Sequence, residues 1–281
     1  MVIAVGVDAG GSGSRAVVVR DGVVVARRDL GPINVLLHAD AVDRLAGAVT
    51  DAGATVAGFG LAGLRSAEHA RELTAELARR TGARVAVGDD TDAALAGAFA
   101  GRPGIVVIAG TGSGAAGRDA AGRTVRVGGH GFLLGDEGGG YWIGREAVRA
   151  ALRAEDGTGP PTALTELVRT AFDTLTGAET LVHQRPTDRQ LLSRLVPQVA
   201  AAARDGDAGG DAVAARILAE AAAYLAELAA AVRARLGELP VAGVGGIFRC
   251  APVRDAFRAA TGAADPVEPP ELGALRLLDR P

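Results

Sequence analysis

Cysteine is almost absent from this sequence of 281 residues, which contains only Cys250. A single cysteine excludes a disulfide framework within the chain and any cluster that needs several thiolates from one subunit. The four histidines lie far apart and show none of the spacings of a zinc site. Cys250 itself is predicted to be a small core residue rather than a nucleophile, since no histidine is near it in the sequence.

Aromatic residues are also scarce, at 3% of the chain, although apolar residues as a whole reach 48%. The core must therefore be built mainly from alanine, valine and leucine. Glycine, in contrast, occurs 41 times, which is about twice its average frequency in globular proteins. This excess predicts many tight turns or places where two backbone segments approach closely.

Strong charge and long apolar runs are missing as well. A net charge of −3 gives no reason to expect nucleic acid or an anionic membrane as a partner. No apolar run approaches the ~20 residues that cross a bilayer, and the opening MVIAVGVD lacks the basic start of a signal peptide. These absences predict a cytoplasmic protein that binds neither nucleic acid nor membrane.

Strand-forming runs open the chain and then return in the same order. The run MVIAVGV ends in the glycine loop 8–14, and two more strands follow around the hairpin signal Asp21-Gly22. The order strand, glycine loop, strand, turn, strand recurs at 104–128, where GTGSG (110–114) is the loop.

The segments around this repeat predict the fold class. Strands alternate with helices between the two copies, which is the pattern of βαβ units and a mostly parallel sheet. Helices dominate 138–236, with a glycine-rich break at 204–210. The sequence therefore predicts an α/β protein of two domains, 1–110 and 111–281, with a terminal helix near 271–278 packed back on the first domain.

The glycine loops raise the question of what they bind. The second loop contains GxGxxG (Gly112, Gly114, Gly117), but a dinucleotide loop must open a helix, and a turn between two strands follows here. The P-loop pattern GxxxxGK[ST] is absent from the chain. Two loops that each follow a buried strand and carry hydroxyls favour phosphate cradles, with plain hairpin turns as the alternative for either loop alone.

Five motifs in a fixed order carry a resemblance to known proteins: DAGGSGS, GDDTDAALAGA, IAGTGS, GGHGFLLGDEGGGYWIGREAV and GVGGIF. Together they resemble the N-acetylglucosamine kinase and BadF/BadG-type ATPase family of the actin-like sugar-kinase superfamily, over essentially the whole chain. The resemblance implies two ribonuclease-H-like domains with ATP and a sugar bound in the cleft between them. It also implies Mg²⁺ as a cofactor and a homodimer.

The resemblance implies which residues bind the nucleotide. Asp8 would hold a hydrated Mg²⁺ ion near the phosphates. The phosphate loops would be formed by Gly10, Gly11, Ser12, Thr111 and Gly112. Gly245 and Gly246 would let adenine approach the backbone, with helix–strand packing as an equal alternative. Similar kinases often carry a basic residue where this chain has Gly13, and this departure removes a phosphate contact.

Three aspartates, Asp89, Asp90 and Asp92, crowd one predicted strand end. A helix N-cap and first-turn acids would account for two of them. Phosphoryl transfer to a hydroxyl also needs a carboxylate that accepts the hydroxyl proton. Alignment of AALAGA with the family implies that this general base is Asp90, whereas a slip in the alignment would make it Asp92.

The resemblance also implies the residues that contact the sugar. Besides Asp90 they are Asn34, Ser113, Gly114, Gly129, His130 and Asp136. Loop capping is the alternative role for Asn34, and an N-cap region is the alternative for Asp136. His130 replaces a tryptophan of the family, which leaves the amino-sugar specificity open.

The predicted function is ATP-dependent phosphorylation of an amino sugar, in the first place N-acetylglucosamine, at its 6-hydroxyl. Glucosamine, N-acetylmuramic acid and a sugar sensor without catalysis are the alternatives. The same family contains ATPase activators of radical dehydratases, which need two cysteines per subunit for a bridging iron–sulfur cluster. The single cysteine of this chain excludes that alternative.

Overall fold

The computed structural model describes residues 1–185, 187–204 and 210–279, in which strands and helices alternate. The strands are β1 Ile3–Ala9, β2 Ser14–Arg20, β3 Val23–Asp29, β4 Val56–Leu61, β5 Arg84–Asp89, β6 Gly104–Ala109, β7 Ser113–Arg118, β8 Thr124–Gly128 and β9 Val241–Val244. The α-helices are α1 Ala41–Thr50, α2 Ala67–Thr81, α3 Asp90–Ala98, α4 Gly140–Glu155, α5 Leu164–Phe172, α6 Leu175–Gln184, α7 Gln190–Ser193, α8 Val196–Ala202, α9 Ala212–Leu236, α10 Ala251–Thr261 and α11 Pro270–Leu275. Short 3₁₀ helices cover Gly246–Arg249 and Arg276–Asp279.

The repeat predicted at 104–128 forms the strands β6, β7 and β8. The strand β9 ends at Val244, because the chain turns there into the 3₁₀ helix Gly246–Arg249. The break predicted at 204–210 falls largely on 205–209, which lie outside the described residues.

The strands form two sheets with a related order. The first runs β3-β2-β1-β4-β5, with β1 antiparallel to β2 and parallel to β4. The second runs β8-β7-β6-β9, which repeats the order of the first four strands. The repeated order confirms the predicted α/β fold and the repeat that the two glycine loops indicated.

One face of the first sheet forms an apolar core. Successive side chains of a strand point to opposite faces, and Val5, Val7 and Ala9 of β1 share one of them. They belong to a buried cluster with Leu45 of α1 and Leu77 of α2. Aliphatic side chains thus fill this core, as the scarcity of aromatic residues required.

Helix α11 packs on the opposite face of the first sheet, where β1 and β4 carry glycines. Helix α11 contacts β1, β4 and α3. A methyl group on Gly58 of β4 would overlap the carbonyl oxygen of Ala274, and one on Gly6 of β1 would overlap that of Glu271. The helix backbone lies directly on the strands because both positions lack a Cβ atom.

We expect Gly58→Ala to lower the free energy of unfolding by about 3 kcal/mol, the upper part of the usual range for an overpacked core. The added methyl group would push the backbone of α11 away from β4. Gly47→Ala in α1 is the matched control, since its methyl group meets nothing within 4 Å and alanine favours a helix by roughly 1 kcal/mol. Urea denaturation should therefore show a loss of stability for Gly58→Ala and a gain for Gly47→Ala. Equal stability of Gly58→Ala and wild type would contradict the packing of α11.

The chain divides into two compact units. One comprises Met1–Val106, Ala116–Thr124 and Asp265–Pro281, and the other comprises Val107–Ala115 and Val125–Ala264. The domain boundary predicted at residue 110 stays a prediction. Within the three described stretches of the chain, no helix combines the length and the apolar character that crossing a membrane requires.

Candidate active site

The first glycine loop presents backbone donors that no described residue accepts. The N–H of Gly10 donates to the carbonyl oxygen of Gly13 at 3.2 Å and to Oγ of the buried Ser14 at 3.3 Å. Ser12 is exposed at the tip. Within the part of the chain that the structure describes, the N–H groups of Gly11 and Gly13 have no protein acceptor. Such donors are available to an anion.

Asp8 and Asp90 come together on one face of the first sheet. Asp8 is paired with Gly60 in the parallel register of β1 and β4. A methyl group on Gly60 would overlap Cβ of Ala93 and lie 3.5 Å from Cα of Asp90. Because Gly60 has no side chain, the first turn of α3 lies directly beside Asp8. Sequence reasoning missed Gly60, although glycine inside a strand is a known sign of close backbone approach.

Burial and neighbouring charge favour the protonated form of Asp8. Burial, the charge of Asp90 and the charge of Glu271, in that order, raise the pKa of Asp8 to about 7, against the opposing charge of Arg15. Glu271 is itself buried and forms an ion pair with Arg27 at 2.8 Å. Sequence reasoning missed Glu271 as well, because only tertiary packing brings α11 to this strand.

The raised pKa of Asp8 predicts a pH-dependent stability in the metal-free protein. Between about pH 4 and pH 7 the native state holds a proton that the unfolded chain releases, so stability falls as the pH rises. Asp8→Asn removes this effect, and its stability relative to wild type should grow by roughly 3 kcal/mol between about pH 5 and about pH 8. Urea denaturation in EDTA measures both proteins, and parallel pH curves would contradict the prediction.

The three clustered aspartates have different surroundings. Asp89 is the N-cap of α3, and its side chain accepts the N–H of Asp92 at 2.7 Å. Oδ1 of Asp90 accepts the N–H of Thr91 at 2.9 Å. Asp92 lies over the next strand, since a methyl group on Gly88 would be 3.5 Å from its Oδ2. Proximity to Asp8 therefore supports Asp90, rather than Asp92, as the candidate base.

Asn34 closes a turn beside the first loop. Its Oδ1 accepts the N–H of Leu36 at 2.9 Å, and its carbonyl oxygen accepts the N–H of His38 at 3.0 Å. Its Nδ2 lies 4.0 Å from the position of a methyl group on Gly11 and 3.2 Å from one on Gly63. Since no residue in the described ranges accepts a hydrogen bond from Nδ2, the amide is free to donate to a ligand beside the first loop.

The second glycine loop is held by the start of α4. The N–H of Gly140 donates to the carbonyl oxygen of Gly110 at 2.8 Å, and the N–H of Tyr141 donates to that of Thr111 at 2.9 Å. These two donors of the helix N-terminus are therefore engaged by the loop itself.

Asp136, in the segment before α4, packs against the same loop. It is buried with φ +61°, and its Oδ1 accepts the N–H of Gly131 at 3.3 Å. A methyl group on Gly112 would overlap Oδ2, so the carboxylate fits only beside glycine. Burial raises the pKa of Asp136, while hydrogen bonds from the backbone of Gly131 and Ser113 lower it. This geometry gives Asp136 a role in positioning the loop, and its contact with a sugar stays a prediction.

The remaining predicted sugar residues lie near Ser113. The hydroxyl of Ser113 donates to the carbonyl oxygen of Glu137 at 2.7 Å. The N–H of Gly129 donates to the carbonyl oxygen of Ser113 at 3.0 Å, and a methyl group on Gly114 would lie 3.3 Å from the Gly129 nitrogen. Gly129 and His130 are exposed, so both are accessible to a ligand.

Gly245 and Gly246 differ in what surrounds them. Gly245 has φ +115°, and a methyl group there would overlap the carbonyl oxygen of Ala109 at the end of β6. Packing against β6 therefore accounts for Gly245. A methyl group on Gly246 would meet nothing within 4 Å, so Gly246 offers the open backbone that an adenine ring would need.

The protein alone does not form a closed metal cage. Among residues 1–185, 187–204 and 210–279, no group of three or more His, Cys, Asp and Glu side chains is arranged to hold a metal ion. Mg²⁺ typically keeps several waters and binds one or two carboxylates together with substrate phosphates. Asp8 fits this donor set, because a bound cation would favour its charged form against burial and the charges of Asp90 and Glu271, which raise its pKa.

Comparison with known proteins points to one family. The sequence profile of the BadF/BadG/BcrA/BcrD ATPase family matches residues 5–268. An N-acetylmuramic acid/N-acetylglucosamine kinase of Clostridium acetobutylicum is 48% identical over 81 residues, which are 29% of this chain and 26% of that protein. An N-acetyl-D-glucosamine kinase of Dictyostelium discoideum is 35% identical over 134 residues, 48% of this chain and 42% of that protein. The matches thus span less than half of each curated relative.

Solved structures resemble the chain over its whole length. A protein of Chromobacterium violaceum, described as a candidate N-acetylglucosamine kinase, superposes with a TM-score of 0.80 and 28% identity over 99% of both chains. A ROK family glucokinase of Streptomyces griseus, solved with glucose and AMPPNP, gives a TM-score of 0.66 and 18% identity over 99% of this chain and 98% of that one. The second likeness establishes the fold alone.

Proposed function

This chain belongs to the BadF/BadG/BcrA/BcrD ATPase family, and we propose that it is an ATP-dependent kinase of an amino sugar. The preferred acceptor in this proposal is the 6-hydroxyl of N-acetylglucosamine. The observation that carries the proposal is the pair Asp8 and Asp90 in the same unit as a glycine loop with unused N–H groups. The names of the curated relatives support the same activity.

Each group of residues has a defined task in this reaction. Asp90, in the first turn of α3, accepts the proton of the attacking hydroxyl. Asp8 would hold Mg²⁺, which when bound neutralises charge on the phosphates. The backbone donors of Gly11 and Gly13 bind phosphate oxygens, and Thr111 and Gly112 do the same from the second loop.

In this proposal, polar groups hold the sugar. The free Nδ2 of Asn34 donates to a sugar hydroxyl, and Gly129, His130 and Ser113 supply further contacts. Asp136 accepts from sugar hydroxyls or fixes the loop that does so. We also propose that the protein acts in the cytoplasm as a homodimer, without nucleic-acid or membrane partners.

The test is an ATP-consumption screen with Mg²⁺ over N-acetylglucosamine, glucosamine, N-acetylmuramic acid and glucose. ADP release is measured by a coupled assay and the sugar phosphate by ³¹P NMR. N-Acetylglucosamine should give the highest kcat/KM, with phosphate on O6. ADP without any sugar phosphate would overturn the kinase assignment, and sugar binding without turnover would favour the sensor.

A further inference from the structure

We propose that Arg15 is a phosphate-binding residue, which contacts the polyphosphate of the nucleotide bound at the first glycine loop. The proposal rests on the proposed function, because it assigns one more contact to the same nucleotide. Its carrying observation is an exposed arginine beside Asp8, directly after the loop, that has no ion-pair partner among the described residues.

The register of the sheet places Arg15 at the site. Arg15 is the antiparallel partner of Asp8 across β1 and β2, so the two side chains project from the same face. That face also carries Gly60 and the first turn of α3 with Asp90. Arg15 is exposed and follows the loop directly after the buried Ser14.

Among the described residues, Arg15 has no ion pair, whereas two arginines of the neighbouring strand β3 do. Arg27 is paired with Glu271 at 2.8 Å, and Arg28 lies 4.0 Å from Asp51. Arg15 has carboxylates on both neighbouring strands, Asp8 and Asp29. Nevertheless, in the described residues no carboxylate reaches ion-pair distance from it.

The carboxylates on the strands beside Arg15 have other neighbours. Oδ1 of Asp29 accepts the N–H of Gly31 at 2.7 Å. Asp8 lies beside the first turn of α3, which carries Asp90. The guanidinium therefore remains available to an anion that brings more charge than one carboxylate. A polyphosphate has that charge, and its oxygens match the fork of N–H groups on arginine.

The space beside the loop is open for such an anion. A methyl group on Gly13 would meet nothing within 4 Å, and one on Gly11 would meet only Nδ2 of Asn34 at 4.0 Å. Gly13 and Arg15 lie on either side of the buried Ser14, and both are exposed. The unused N–H groups of Gly11 and Gly13 and the exposed Arg15 thus follow one another closely along the chain, in the loop and at the start of β2.

Calorimetric titration with Mg²⁺ and ATP, inorganic tripolyphosphate or adenosine tests the proposal on the full chain. Arg15→Gln should weaken ATP and tripolyphosphate binding by about 10- to 100-fold, the loss expected for a charge-assisted hydrogen bond. Adenosine affinity should not change. Arg20→Gln, at the far end of the same strand, is the matched control and should bind all three ligands as wild type does.

A second variant separates a phosphate contact from a structural role. Gly13→Lys supplies a new cation in open space, so Arg15→Gln combined with Gly13→Lys should recover much of the lost ATP affinity. Unchanged ATP affinity in Arg15→Gln, or an equal loss for adenosine, would overturn the role of Arg15. Failure of the wild-type chain to bind ATP would instead overturn the proposed function itself.

Discussion

Asp90→Asn should lower kcat for sugar phosphorylation by about 10²–10⁴-fold, the usual contribution of a general base. Asparagine keeps the size of the side chain and an oxygen that accepts the N–H of Thr91. It cannot take the hydroxyl proton. ATP affinity should be nearly unchanged, because the substitution removes a negative charge beside Asp8 and leaves in place the backbone N–H groups that bind the phosphates.

Asp92→Asn is the matched control for this prediction. Asp92 is in the same first turn but lies over β5, next to Gly88. Its loss should cost only a favourable helix-terminus charge, about 0.3–1 kcal/mol of stability, with kcat close to wild type. An exchange of the two phenotypes would make Asp92 the base. Wild-type turnover in both variants would refute general-base catalysis from this turn.

Elements with local signals were predictable from the sequence. Helix α2 begins after Ser66, whose side chain accepts the N–H of His69 at 3.1 Å, and ends at Gly82 with φ +68°. Both residues are helix-end signals that need no tertiary information. The two glycine loops likewise follow apolar runs, so their place at strand ends could be predicted from the pattern alone.

The position of α11 could not be predicted in this way. Its Glu271 forms an ion pair with Arg27, which is 244 residues away in the chain. The packing depends on missing Cβ atoms at Gly6 and Gly58. A glycine in a strand indicates close approach by some backbone segment, but it does not indicate which one. For this reason the effect of Glu271 on Asp8 was not foreseen.

The aspartate cluster shows a second limit of sequence reasoning. Successive side chains of an α-helix point about 100° apart around the helix axis. The direction in which each aspartate points therefore depends on where the helix starts. The structure starts α3 at Asp90 with Asp89 as its cap. The residues alone predicted a cap, a first-turn acid and a base, and the resemblance implied Asp90 as the base with Asp92 as the alternative.

Gly11→Val should abolish detectable ATP binding, which corresponds to a loss of roughly 100-fold or more when backbone donors to a charged ligand are blocked. The side chain would occupy the space in front of the loop that the phosphates require. The fold should be unaffected, because a Cβ atom on Gly11 meets only Nδ2 of Asn34, at 4.0 Å. Calorimetry with ATP and Mg²⁺, together with thermal unfolding, measures both effects.

Gly47→Val in α1 controls for the change from glycine to valine, since its Cβ atom also meets open space and lies away from the loop. That variant should bind ATP as wild type does. The phosphate cradle would be refuted by a folded Gly11→Val protein with wild-type ATP affinity. The second loop would then have to supply the phosphate contacts, although Gly140 and Tyr141 already donate to the carbonyl oxygens of Gly110 and Thr111. The exposed donors of the first loop therefore make it the more sensitive of the two to an added side chain.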